Sequence, residues 1–450
     1  MGTTKQNRWL IAIMGTVLQL ALGTVYAWSY FQKPIMTAFG WSNVQVMWIF
    51  SLAICFLGLS AAWGGMNLAK FGPKKLAVMG AILFASGYFI GAFAMSINSI
   101  FLLYIGYGVI GGCGLGLGYV TPVATASKWF PDKKGFITGM VVMGFGLGAL
   151  IMSKFIAPAL MGGFNRILKS IPTESFVDGK LTDTVIQASL QSQLVSVFLY
   201  AGIILLVIAL PAALILKNPP AGYVPVGFNP PVTSASNQAS EDKLTAKSCI
   251  LSSKFFRMWL IFFLNISAGI MFIGLQSPML QDLLKKTGTS MDATALAAAG
   301  ATLIAISSLF NGIGRFFWGG LSDKIGRIQA FRLILASQLF VFIALIWVGN
   351  PWLFGIMVCY VLLCYGGGFG TMPSFVGDIF TAKLMPVVYG TILTAWSMAG
   401  IVGPQIAAFI KDTYKADAAT YTFIAGAILL TIGVIFAFTL NNKSIIESKK

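Results

Sequence analysis

Asn311 and Arg315 stand four residues apart in the stretch NGIGRFFWGGLSDKIGR, and together they can hold a small anion. An i, i+4 spacing puts both side chains on one helical face. A planar guanidinium grips a carboxylate through two parallel hydrogen bonds and does not deprotonate. The amide one turn away suits a hydroxyl or keto oxygen. Three more polar residues fit such a site. Gln19 and Tyr26 share a stripe with Gly23 and Tyr30 at i, i+4, i+7 and i+11, and Tyr119 follows the glycine run GGCGLGLG. Each has a plainer reading, because aromatic stripes usually pack or sit at an interface. Arg315 itself has a structural alternative, bracing an acid or helix-end carbonyls, with Asp378 the nearest acid available. Lys154 lies near the far end of its own apolar run, where it either snorkels toward a polar boundary or serves as a gating charge that attracts anions.

The elements carrying these residues are apolar throughout. The chain has 450 residues, of which 57% are hydrophobic and 10% charged, and its mean hydropathy is +0.84. Runs of about 20 apolar residues recur along it, each long enough to cross a ~30 Å hydrocarbon core. We place them at 9–31, 44–66, 76–97, 101–126, 136–160, 193–216, 258–280, 294–318, 329–349, 352–376, 387–410 and 420–440. The first is too long for a signal-peptide core and is expected to remain as a span. The expected fold is an all-α integral membrane protein with twelve transmembrane helices. If Asp323 marks the headgroup level, eight residues at ~1.5 Å rise put Arg315 roughly 12 Å inward, near the midplane. A charge at that depth costs at least ~2.5–3.5 kcal/mol, so it faces a cavity or a partner. Tyr119, nine residues before Lys128, reaches a similar depth.

The net charge of +17 invites a nucleic-acid reading, which its distribution refuses. With the N-terminus inside, twenty of the 30 Lys and Arg fall in inside segments and eight outside; Lys154 and Arg315 remain in the membrane. That bias follows the positive-inside rule and predicts both termini in the cytoplasm of a prokaryotic inner membrane. Membrane lipid is the expected surrounding partner, with no obligate protein partner. Five scattered cysteines and no histidine predict neither a disulfide framework nor a metal site, and no cofactor is expected. No nucleophile–base constellation suggests an enzyme.

The two halves of the chain repeat. GMNLAKFGPKK begins at Gly65 and GGLSDKIGRIQ at Gly319; each has a second glycine seven residues on, at Gly72 and Gly326, with basic residues close behind. The same 254-residue offset relates Gly146 to Gly400. Residues 1–216 and 255–440 are therefore expected to form two pseudo-symmetric six-helix bundles with a site between them. An external insertion is expected at 161–192, a cytoplasmic linker at 217–254 and a cytoplasmic tail at 441–450.

The loop pattern with Gly319, Asp323, Gly326 and Arg327 resembles the signature of the major facilitator superfamily. The first copy, with Gly65, Gly72 and Lys74, has Ala69 where the acid belongs, so charge pairing at that gate should be weaker. QLALGTVYAWSYF, KWFPDKKGFITG, PPAGYVPVG and NGIGRFFWGGLSDKIGR, in that order, are similar to the oxalate/formate antiporter family. The resemblance implies alternating access around a central site, with Arg315 at a substrate-binding position. Family members that carry oxalate resemble this chain at YGTILTAWSMAG but have a lysine at the position of Trp396. A dianion needs two buried cations, whereas Arg315 balances one carboxylate, and Trp396 narrows the cavity. The pairing of Asn311 with Arg315 also resembles prokaryotic relatives of the monocarboxylate transporters. The expected activity is transport of a small monocarboxylate with proton symport. The rivals are a dicarboxylate:formate exchanger and a carboxylate sensor, the latter disfavoured by the short tails.

Overall fold

The structure is a computed structural model that describes residues 7–171, 176–177, 180–181, 183–220, 222–225, 227, 244–288, 290–381 and 384–441. Among these, eleven helices are long and apolar enough to cross a membrane. The helix Asn43–Ser96 breaks at Gly72, where φ is 75° and ψ is 162°, and so supplies two crossings. The expected twelve follow. Spans one to six are Arg8–Phe39, 43–71, 73–96, Ile100–Trp129, Phe136–Leu160 and Thr184–Ile215. Spans seven to twelve are Ser253–Lys286, Ala293–Ile325, Arg327–Leu345, Pro351–Phe380, Met385–Tyr414 and Ala418–Phe438.

The sequence repeat is a repeat of backbone. Gly326 ends span eight with φ 90° and ψ 148°, nearly the conformation of Gly72 at the end of span two. A side chain is strained at positive φ, which explains glycine at both turns.

Several helices outrun their apolar cores. Span six begins at Thr184 rather than 193, because Asp183 caps it, accepting from the Val185 and Ile186 amides at 2.9 and 3.1 Å. The described remainder of the 161–192 insertion holds the helix Gly162–Ser170 and one small hairpin, Phe176–Val177 paired with Lys180–Leu181. That hairpin is the only strand structure among the described residues of an otherwise helical fold. Span ten continues to Phe380, so Asp378 lies inside it rather than beyond it. Of the 217–254 linker, 221, 226 and 228–243 lie outside the described residues, as do 442–450 of the tail.

Span one corrects the stripe expected from even α-helical spacing. Residues Gly23–Ala27 form a 3-10 turn between two α-helices. With about 3.0 rather than 3.6 residues per turn, the residues beyond it rotate away from the predicted face. Tyr26 stays at the centre, whereas Tyr30 is half-buried against Phe31, 5.3 Å away between ring centroids.

Spans eight and ten touch backbone to backbone, which fixes the height of Arg315. A Cβ on Gly370 would stand 2.0 Å from the Arg315 carbonyl oxygen, and one on Gly366 would stand 2.1 Å from that of Asn311. Small residues permit this approach where larger ones forbid it. Gly366→Ala is expected to overpack the contact at about 1–3 kcal/mol. Thermal melting in detergent should show a clear drop, and unchanged melting would contradict the close approach.

Candidate functional site

Arg315 is wholly buried, at 0% exposure. Its Nη1 donates to the Val142 carbonyl at 3.1 Å and, at 3.4 Å, to the Tyr119 hydroxyl; its Nε reaches Asn311 Oδ1 at 3.4 Å. Nη2 has no hydrogen-bond partner. Among the described residues no carboxylate pairs with the guanidinium. Asp378, the alternative considered from sequence, instead accepts from Arg327 Nε at 3.1 Å. Two rings cushion the cation, Phe369 at 4.8 Å and Phe145 at 5.6 Å from its Cζ. Cation–π contact softens the burial, and the open Nη2 leaves a buried charged donor without the acceptor that such groups require.

Aromatic side chains from five spans enclose this charge. Trp396 of span eleven lies 4.5 Å from Phe369, 5.1 Å from Tyr119, 5.5 Å from Phe145 and 6.1 Å from Tyr26, between ring centroids. Its indole Nε1 has no hydrogen-bond partner. The Tyr26 hydroxyl meets that of Tyr365 at 2.5 Å, joining span one to span ten across the middle of the molecule. Gln19 donates its amide to the Tyr119 carbonyl at 2.8 Å, reaching the cluster through span four's backbone.

The structure thus brings together Arg315, Asn311, Tyr119, Tyr26 and Trp396, with Gln19 at the edge. Phe145, Tyr365 and Phe369 belong to the same enclosure and were not expected from the sequence. Tyr365 and Phe369 sit at i, i+4 within CYGGGFGTMP, the spacing of Asn311 and Arg315, but that stretch reads first as a glycine run. Lys154 stands apart. Its Nζ donates to Thr302 Oγ1 at 2.7 Å on an exposed flank, linking span five to span eight.

The two faces differ. At the face carrying the Gly72 and Gly326 turns, Arg327 pairs with Asp323 and Asp378 and donates to Ser322, all within the second half, and a cleft of about 250 Å³ between the halves runs from Ala124 and Lys128 to Pro373 and Pro386. Gly319 packs on the Gly370 carbonyl, and a Cβ on Gly65 would stand 2.6 Å from that of Pro386, across from span two to span eleven. In the first loop copy, Lys74 is exposed and makes no ion pair among the described residues.

At the opposite face, Lys33 of span one pairs with Asp282 of span seven at 3.0 Å, and Lys411 joins the same carboxylate at 2.7 Å. Asn43 donates to Asp412 at 3.0 Å, linking span two to span eleven. Asp282→Asn is expected to loosen this face by up to about 1 kcal/mol, roughly fivefold in the open population. Thiol labelling of a cysteine at Ser277 should quicken accordingly, and an unchanged rate would remove the latch.

Comparison with known proteins supports the architecture. The sequence profile of the Major Facilitator Superfamily matches residues 11–404. The chain is 26% identical over 398 residues to the MFS-type transporter YhjX of Escherichia coli (strain K12), covering 88% of this chain and 87% of that protein. It is 25% identical over 413 residues to the oxalate:formate antiporter of Oxalobacter formigenes, covering 91% and 86%. It is 23% identical to apicoplast pyruvate carrier 1 of Toxoplasma gondii, covering 97% and 89%. Among solved structures, a bacterial homologue of the lysosomal transporter Spinster superposes with a TM-score of 0.64 at 16% identity, covering 97% of each chain. The fucose transporter FucP superposes at 0.58 and 18%, covering 95% and 99%. The twelve spans, the duplicated glycine turn and the profile agree: the chain belongs to the Major Facilitator Superfamily and is a membrane transporter, not an enzyme.

Proposed function

We propose that the protein carries a small organic monocarboxylate of the lactate, pyruvate or formate type by alternating access. The observation that carries this reading is the single buried guanidinium of Arg315, open at Nη2 and unpaired with any carboxylate among the described residues. One carboxylate neutralises one guanidinium. The aromatic wall of Trp396, Phe369 and Phe145 supplies apolar contact for a short carbon chain and leaves no second cation for a dianion. The names of the oxalate:formate antiporter and the pyruvate carrier support a carboxylate. The halves 1–216 and 255–440 rock about this site, opening the two faces in turn. Both termini lie in the cytoplasm of the inner membrane, following the basic-residue bias.

Charge sets the coupling. The empty closed site buries a naked cation, whereas the loaded one is neutral, so the loaded carrier reorients faster and exchange outpaces net flux. Proton symport, the coupling expected from the sequence, is the other reading, supported by the Tyr26–Tyr365 hydroxyl contact, which offers a relay through the centre. The test is uptake of C1–C4 acids into proteoliposomes, with and without a pH gradient and with and without internal substrate. Monocarboxylate counterflow supports the proposal, and acceleration of net uptake by an inward proton gradient selects symport. Tight oxalate inhibition accompanied by oxalate counterflow would replace it with the dicarboxylate exchanger.

A further inference from the structure

One helical turn from Arg315 lies a small void of about 10 Å³. Five polar residues, Tyr26, Gln276, Ser307, Ser308 and Asn311, border it together with four apolar ones, Ala149, Ile273, Ile304 and Leu362. The five polar residues are at least nine-tenths buried, at 2%, 2%, 0%, 3% and 1% exposure. Ser307 donates to Gln276 Oε1 at 2.6 Å, tying span eight to span seven. That bond occupies the Gln276 oxygen, so the end of the side chain left open is its amide nitrogen, which bonds no other described residue. Ser308 is already engaged by the Gly146 carbonyl and the Leu150 amide. Asn311 Oδ1 is turned to Arg315 Nε, which leaves its amide nitrogen as the second donor. The polar side of the void is therefore bordered by two residues with an N–H donor to spare, Gln276 and Asn311, one helical turn from the guanidinium, while the Tyr26 hydroxyl is taken by Tyr365. The size of the void matches one oxygen atom or one water, about 10–15 Å³ by the same measure.

We infer that this void is a subsite for the oxygen on carbon 2 of the substrate, with Gln276 as the residue that selects 2-hydroxy and 2-oxo acids. The inference rests on the carboxylate reading of Arg315 and sharpens its substrate class. With the carboxylate on Arg315, the adjacent carbon's oxygen falls within reach of the same helical face, where Asn311 and Gln276 donate to it. A carbon bearing only hydrogens leaves both amides unpaired in a dry site. Sites built to hydrogen-bond a substrate oxygen discriminate strongly against analogues without one. Ser307 is a positioning residue: it holds the Gln276 amide in one orientation.

The test compares lactate and pyruvate with propionate, which matches them in carbon number and lacks the 2-oxygen. Initial rates are measured in proteoliposomes of the wild type, Gln276→Leu and Ser307→Ala. The wild type is expected to favour lactate and pyruvate over propionate in kcat/KM by roughly tenfold or more. Gln276→Leu should bring that ratio close to one, and Ser307→Ala should lower it partway. Should Gln276→Leu fail to fold, the Ser307→Ala ratio and wild-type competition between lactate and propionate decide the matter. Equal wild-type transport of lactate and propionate overturns the subsite while leaving the carboxylate clamp standing, as does a ratio unmoved by both substitutions. If neither acid moves, the carboxylate reading falls first and the subsite with it.

Discussion

Arg315→Lys is expected to cut transport of every monocarboxylate roughly thirtyfold while preserving the folded protein. The substitution keeps the charge and removes the fork. In the closed site the guanidinium spreads its donors over the Val142 carbonyl, the Tyr119 hydroxyl and Asn311, with Nη2 left open. A lysine ammonium is a compact point charge with three donors and no planar edge, so it cannot hold those partners and a carboxylate at the open nitrogen together. Losing one charge-assisted hydrogen bond costs about 2 kcal/mol, which is the thirtyfold factor. The measurement is the initial rate of labelled lactate uptake at saturating and limiting concentrations, normalised to reconstituted protein. The loss should appear mainly as a raised KM, because the clamp acts on the bound anion. Wild-type rates in the lysine variant would remove Arg315 from the site.

Trp396→Lys is expected to move the carrier toward dianions. Trp396 is completely buried, with the rings of Phe369, Tyr119, Phe145 and Tyr26 around it. A lysine placed there would be a second cation in the same enclosure as Arg315. Two like charges in a low-dielectric pocket disfavour closure around a single carboxylate, since one positive charge stays uncompensated. A dicarboxylate balances both. Lactate exchange should fall at least tenfold and oxalate should become a competitive inhibitor, a change of about 1.4 kcal/mol or more in relative affinity. Inhibition constants for oxalate against lactate, measured in both proteins, test the prediction. If lactate selectivity survives intact, counting buried cations does not set substrate charge here.

Much of this organisation is legible along the chain. Runs of apolar residues announce the spans because each must hide its backbone in hydrocarbon using only its own hydrogen bonds. The paired turns at Gly72 and Gly326 are visible as a repeat, and their common positive φ shows why glycine stands at both. Asn311 and Arg315 announce themselves because polar residues four apart in an apolar helix have little reason to be there except to face a cavity. The helix ends were harder. Asp183 and the long polar extension of span six show that a cap, rather than the end of hydrophobicity, starts that helix. The 3-10 turn at Gly23–Ala27 leaves no trace in the periodicity either, because no fixed period describes a helix that changes pitch midway.

The remaining members of the site had no such signature. Phe145, Tyr365 and Phe369 are aromatic residues in apolar helices, where a ring lining a cavity and a ring filling a core have the same neighbours in sequence. Gln276 and Ser307 lie 31 residues apart on different spans and become a pair only when spans seven and eight pack. Asp282, near the end of span seven, gains its role from Lys33 of span one. By itself the sequence determined the membrane class, the twelve crossings, the duplication and the one deep cation, since each depends on local composition and short-range period. Which rings enclose that cation, which amides border its small void and which charges join the halves at the face opposite the glycine turns were decided only by the tertiary structure. Those contacts join helices distant in the chain, and their energies depend on distance and burial rather than on order.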